Sequence, residues 1–335
     1  MRNLLFSFIL LAFCFLCSCK QPQYFKHFGL TQGTFYEITY ESPSGIDYEN
    51  EIKQLLFDFS KSLSTYIPNS LISRINQNDT TAVVDDFFRT VFDKSVEVHK
   101  ASNGMFDITI TPIVNLWGFG FTGDKPDIDP KKIDSLLQYV GLDKARIVGD
   151  KVVKDNPGVM FNMNAIAKGY SADVIANFLK EKGSRNFLVN IGGELVAFGV
   201  NESGYTWLVG IDQPDENTFH GKDIQHSLRL KNRAIATSGN YRRFHEIDGK
   251  KYGHTFDPKT GYSVMHNLLS VSIVANDCMT ADAWATACLA SGLEKSIQLL
   301  KQHPELDALL IYSDENGNFK TYVTDGLEII VIPKD

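Results

Sequence analysis

Asp282 and Thr286 stand four residues apart in "TADAWAT" (280–286), on one face of a predicted helix. Both offer hard oxygen. Mg2+ prefers that donor, taking one or two protein oxygens and completing its shell with phosphates. The pattern also has a plainer reading: Thr280 caps the helix and Asp282 complements the dipole in its first turn. A second candidate is "FNMNAIAKGYSAD" (161–173), where a strand-like run (Val159, Met160, Phe161) gives way to asparagines and small residues. Lys168 then falls in the first turn of a helix. Free amides, the helix dipole and a lysine suit an anion, and small side chains let a ligand approach the backbone. The same residues also make an ordinary helix start with an exposed lysine, and the stretch is neither a P-loop nor GxGxxG. In "GHTFDPKTGYS" (253–263), His254 ends a strand ahead of a turn made by Asp257, Pro258, Thr260 and Gly261. Histidine is the usual acid/base group near neutral pH, although a lone histidine is often structural.

The elements that must hold these groups follow from periodicity. A strand is expected at 33–40, and helices at 47–63, around Pro68, at 85–101 and at 129–140. "MFDITITPIVNLWGFGF" is expected to begin as a strand and become an aromatic, glycine-rich loop. Its rings could cover a flat ligand or pack in the core. A hairpin is expected at Gly149-Asp150, and a helix from the Lys168 junction to about residue 182. From 186 the chain is mostly strand, with a hairpin at Asp248-Gly249, a buried strand in "LLSVSIVA" and helices at 277–291 and 293–302. Glycines inside "NIGGEL" and "ATSGNY" signal bulges or a closely approaching ligand. Strands outnumber helices and meet through tight turns, so the fold class is α+β, with largely antiparallel sheets packed with helices.

The chain has 335 residues, 43% of them apolar, enough for a sizeable core. Its net charge of −7 leaves no electrostatic footprint for nucleic acid. Arg2 and the apolar run 4–16 form a leader too short to span a bilayer, which takes about 20 apolar residues. The run ends "LCSC", a bacterial lipobox pattern, so residues 1–18 are expected to be a lipoprotein signal peptide and Cys19 the lipidated residue. An ordinary signal peptide is the alternative. Residues 19–27 are expected to be a tether and 28–335 the folded domain. The expected address is that of an exported lipoprotein anchored by lipid and facing the periplasm, with the inner membrane favoured. Cys278 and Cys288 are ten apart and at no metal spacing, so neither a zinc site nor a structural disulfide is expected.

Taken in order, "GTFYEI", "STYIPNSLISRIN", "GMFDITITP…WGFG", "AIAKGYSAD", "NIGGEL", "SGNYRRF", "HTFDPKTGYS" and "ADAWATA" resemble the ApbE family, the FAD:protein FMN transferases, from about residue 28 to 332. The resemblance implies an ApbE-like, T-fold-related architecture and Mg2+-dependent transfer of FMN from FAD to a threonine or serine hydroxyl of a protein, with AMP released. It implies that the Ala165 carbonyl, Asp282 and Thr286 hold the metal, and that Lys168 faces FAD at its diphosphate. Gln32, Tyr66, Met105, Phe106, Asp107, Asn162 and Thr255 fall at further flavin-dinucleotide contacts, and His254 is the candidate base. Three positions depart from the family: Gln32 stands where methionine usually precedes "GT", Asn162 where aspartate is common, and Ala285 where a third carboxylate sometimes lies. The acceptor implied is a flavoprotein, such as a subunit of a membrane NADH:quinone reductase or an Rnf-type complex. An FAD pyrophosphatase and a non-catalytic FAD-binding lipoprotein are the alternatives.

Overall fold

The computed structural model describes residues 23–122, 125–214, 224–240, 244–247, 249–327 and 329–331. The leader, Cys19 and Tyr241, Arg242 and Arg243 of "SGNYRRF" lie outside the described residues. The chain begins with β1 (Gln23–Thr31), β2 (Thr34–Ser42), α1 (Glu49–Leu63), α2 (Leu71–Asn76), α3 (Asp86–Ala101), α4 (Thr111–Leu116), α5 (Pro130–Leu137), β3 (Ala145–Val148), β4 (Lys151–Lys154) and α6 (Ala167–Glu181). Six strands follow: β5 (Phe187–Ile191), β6 (Glu194–Phe198), β7 (Trp207–Asp212), β8 (Ile224–Leu230), β9 (Arg233–Gly239) and β10 (Phe244–Ile247). The chain closes with β11 (Lys250–Gly253), β12 (Leu268–Ala275), α7 (Cys278–Ser291), α8 (Leu293–Gln302), β13 (Asp307–Ser313), β14 (Phe319–Val323) and β15 (Ile329–Val331).

Eight strands form one sheet in the order β1-β2-β5-β6-β9-β12-β13-β14, with every neighbouring pair antiparallel. Its central strands are buried on both faces, which explains their nearly continuous apolar runs. Along β13, Ala308 and Leu310 join the large core beneath the helices, while Leu309 and Ile311 face the other way. That second face packs against Trp207, Val209 and Ile211 of β7 and Leu228 and Leu230 of β8, in a three-stranded sheet ordered β15-β8-β7. α7 is buried on almost every side, and its alanines let neighbouring backbones approach closely.

Three expectations need correction. The tether expected through residue 27 is folded from Gln23 onward: β1 pairs with β2 from Gln23↔Ser42 to Thr31↔Thr34. Their turn places Gln32 at φ 49° and Gly33 at φ 74°, the left-handed pair that a two-residue hairpin needs. "MFDIT" is a turn rather than a strand. The Asp107 carboxylate takes the Thr109 N–H at 2.8 Å and its hydroxyl at 2.5 Å, and Pro112 then opens α4. Finally, Val159, Met160 and Phe161 make no strand, because the Asn76 side chain serves the Phe161 backbone. Asn76 accepts the Phe161 N–H at 2.7 Å and donates to its carbonyl at 2.8 Å.

Candidate active site

α7 starts with Asp277, whose side chain accepts the Thr280 N–H at 2.8 Å. Asp277, and not Thr280, is therefore the cap, and Asp282 lies past the first turn, too deep to be a dipole residue. Asp282 is only 3% exposed. Its Oδ2 accepts the backbone N–H of Gly169, in the first turn of α6, at 2.9 Å. Any side chain at 169 would push the two helices apart, because a Cβ there would lie 2.3 Å from the Cys278 carbonyl oxygen and 2.8 Å from the Asp282 Cβ. The start of α6 and the "ADAWATA" helix are thus joined backbone to side chain.

Lys168 and Glu194 complete this centre. Glu194 leaves the left-handed Gly192-Gly193 turn as the first residue of β6, and its Oε1 pairs with the Lys168 ammonium. Its second oxygen is buried and has no hydrogen-bond partner among the described residues. Burial raises the Asp282 carboxyl above the ordinary aspartate value, against the pull of Lys168 and the Gly169 N–H. Burial raises Glu194 in the same way, with Lys168 opposing and Asp282 adding to the rise. On Lys168 burial works against the cation, yet Glu194 and Asp282 outweigh it and hold its pKa above the usual lysine value. Glu194 thus pairs with the ammonium directly, and Asp282 acts on it through space. An unpartnered, buried anionic oxygen and hard donors from Asp282 and Thr286 make a donor set that fits a divalent cation. α6 has no side-chain cap, but two of its first three N–H groups are already bonded, that of Ala167 to the Met163 carbonyl at 2.8 Å and that of Gly169 to Asp282.

The end of β9 ties this centre to the second motif cluster. Ser238 meets the Thr286 hydroxyl at 3.1 Å, and two residues on, the Asn240 carboxamide oxygen accepts the Thr255 N–H at 3.4 Å. Thr255 is buried and follows His254 out of β11. The His254 ring lies 6.3 Å from that of Phe119, centroid to centroid. The Trp117 indole N–H donates to the Gly261 carbonyl at 3.0 Å, locking the aromatic loop onto the turn after His254. Beside that turn is a cavity of about 260 Å3, lined by Met105, Asp257, Thr260, Val264, His266 and Lys295 among others.

The remaining candidates lie elsewhere or serve local structure. Phe106, Trp117 and Phe119 are core residues, so they do not form an open platform for a flat ring. Asp107 also accepts the Leu142 N–H at 3.1 Å and lies 3.4 Å from His99, which ties its carboxylate into its own loop. Asn162 accepts the Asn164 N–H at 2.9 Å, just before α6. Gln32 buries an amide nitrogen that has no partner among the described residues, at the β1–β2 turn, and Tyr66 is 60% exposed. Glu194 is the group that residue patterns missed. A glutamate after Gly-Gly reads as a hairpin shoulder, and only the fold brings it to Lys168.

The ApbE family model matches residues 32–310. A protein of Vibrio cholerae serotype O1 named FAD:protein FMN transferase is 32% identical over 337 residues, covering 98% of each chain. The protein of the same name from Escherichia coli K12 is 29% identical over 306 residues, covering 88% of this chain and 86% of its own. Among solved structures, the flavin transferase ApbE from Vibrio cholerae superposes with a TM-score of 0.81 at 31% identity, over 91% of this chain and 98% of that one. The apo form of the Pseudomonas stutzeri flavinyl transferase ApbE gives a TM-score of 0.80 at 29% identity, over 91% and 95%. With the family model covering most of the chain and a relative 32% identical over 98% of both chains, this protein belongs to the ApbE family.

Proposed function

We propose that this chain is an FAD:protein FMN transferase that works with Mg2+ at Asp282. It moves FMN from FAD to a target protein. The observation that carries this reading is the bond of 2.9 Å from the Gly169 N–H to Asp282, which joins an anion-binding helix start to a hard-oxygen helix in one buried centre. Ala165 (through its carbonyl), Asp282 and Thr286 would hold the cation. When bound, Mg2+ draws charge from the diphosphate and so favours departure of AMP. Lys168, in the first turn of α6, receives the diphosphate of FAD, with the helix dipole behind it. A serine or threonine oxygen of the acceptor bonds to the FMN-side phosphorus, and the bond from that phosphorus to the bridging oxygen breaks. AMP carries away the electron pair, and FMN stays on the acceptor as a phosphoester. His254 takes the hydroxyl proton. Such a transfer depends on positioning and charge neutralisation more than on a strong nucleophile.

The acceptor in this proposal is a flavoprotein subunit of a membrane redox complex, of the NADH:quinone reductase or Rnf type. Lipid at Cys19 would hold the enzyme on the same membrane, and two acyl chains suffice for stable anchoring. Cys19→Ala should release the protein or leave its leader uncleaved, and unchanged fractionation would refute the anchor. The reaction is tested by incubating the chain from Lys20 onward with FAD, Mg2+ and a threonine-containing acceptor peptide. A fluorescent peptide of FMN-shifted mass supports the transferase. Free FMN with unmodified peptide would show a pyrophosphatase, and intact FAD a binding protein.

A further inference from the structure

Asp173 is a buried acid that no step of the transfer uses. Its two carboxylate oxygens reach across from α6 to the start of α7. Oδ1 accepts the Cys278 N–H at 2.9 Å and Oδ2 the Met279 N–H at 2.8 Å. The first N–H groups of a helix have no intrahelical partner, so these bonds satisfy two of them. Helix capping alone does not explain the arrangement, because Asp277 already caps α7 from within its own chain.

The spacing explains it better. Asp173 meets Cys278, and four residues back along α6 Gly169 meets Asp282, four residues forward along α7. The helices therefore run antiparallel with their contacts one turn apart. One further turn along α7 leads to Thr286, and Ala165 lies two residues before α6 begins. We propose that Asp173 is a positioning residue for the metal ligands: it fixes the axial register of α7 on α6, so that Asp282 comes level with Gly169 and Thr286 follows one turn on, toward the segment before α6 that holds Ala165. The inference rests on the reading of Asp282 and Thr286 as ligands of a divalent cation. A slip of one residue along a helix axis displaces a side chain by about 1.5 Å, more than a small cation tolerates in its ligand set. Gly169 permits the close approach but cannot set the register alone, because its single N–H leaves α7 free to pivot about Asp282. Asp173 supplies the second and third points of attachment.

The test is Mn2+ binding to the FAD-loaded chain without acceptor, followed by the loss of the free-ion electron paramagnetic resonance signal. It is run at pH 8, above the value of about 7 to which burial pushes the Asp173 carboxyl. Asp173→Asn keeps the side-chain shape but turns an amide toward one of the two N–H groups. Partners that orient metal ligands typically contribute 10–100-fold in affinity, so Mn2+ should bind about 10–100-fold more weakly, with transfer restored at saturating metal. Asp277→Ala removes a cap of the same helix without touching α6, and should bind Mn2+ within about twofold of the wild type. If Asp173→Asn does not fold, Asp173→Glu carries the same expectation, because its longer arm displaces α7. Wild-type Mn2+ affinity in a folded Asp173 variant, or equal weakening in Asp277→Ala, overturns the register role. Wild-type affinity in Asp282→Ala overturns the metal reading itself, and this inference with it.

Discussion

Replacing Gly169 with alanine tests the contact on which the site depends. The new Cβ would lie 2.3 Å from the Cys278 carbonyl oxygen, 2.7 Å from the Cys278 carbonyl carbon and 2.8 Å from the Asp282 Cβ. Two of these atoms are backbone, so no flexible side chain can give way. Restoring ordinary van der Waals contact requires the helices to part by about 1 Å. That shift would stretch the Gly169–Asp282 bond, now 2.9 Å, beyond hydrogen-bonding range. Overpacking of this kind costs about 1–3 kcal/mol. Alanine recovers about 1 kcal/mol through helix propensity, so the net loss of stability should be about 0–2 kcal/mol. The effect on chemistry should be far larger, because a misplacement of about 1 Å lowers catalysis by about 100-fold. Chemical denaturation gives the first quantity and FMN transfer to a peptide at saturating FAD and Mg2+ gives the second. A folded Gly169→Ala enzyme with wild-type turnover would refute the claim that this contact sets the geometry of the site.

Lys168→Ala should weaken FAD binding by about 1.5–3 kcal/mol, the range for a charged hydrogen bond, and affect FMN much less, since FMN lacks the diphosphate. Equal effects on the two flavins in a fluorescence titration would move the phosphate site elsewhere. His254→Ala should lower turnover by about 10²–10⁴-fold if the ring takes the acceptor proton, and unchanged turnover removes it from the mechanism. Lys154 donates to the Ile75 and Val159 carbonyls at 3.1 and 2.9 Å, and burial pulls its pKa from 10.5 down to about 8. Its contribution to stability is fully present above pH 10.5 and is lost as the pH falls through 8. Denaturation curves should therefore show stability rising with pH across that window, and less steeply in Lys154→Met. Equal slopes in the two proteins would contradict the shift.

The residues of the candidate site drew notice by type and spacing, while their pattern alone left an ordinary helix start equally open. Asp282 stands out because it is the one charged residue in a helix rich in alanine, and Thr286 follows it at one helical turn. Lys168 stands out as a cation at a junction of small residues. The antiparallel sheet follows from short alternating strands separated by glycine turns. What escaped has identifiable causes. Glu194 is 26 residues from Lys168, and strand pairing between β5 and β6 alone turns it inward. β1 escaped because its turn places a glutamine in the left-handed region, where glycine or asparagine is the usual signal. Asp107 and Asn76 defeated two strand expectations in the same way. Each side chain captured backbone groups that a neighbouring strand would otherwise have bonded.

The central claim is that Asp282 does chemistry rather than support the fold. Its most direct test is FMN transfer by Asp282→Ala at saturating FAD and Mg2+, with thermal unfolding measured on the same preparation. The account predicts a folded protein that leaves the acceptor peptide unlabelled, matching wild type treated with EDTA. Labelling at the wild-type rate would contradict it.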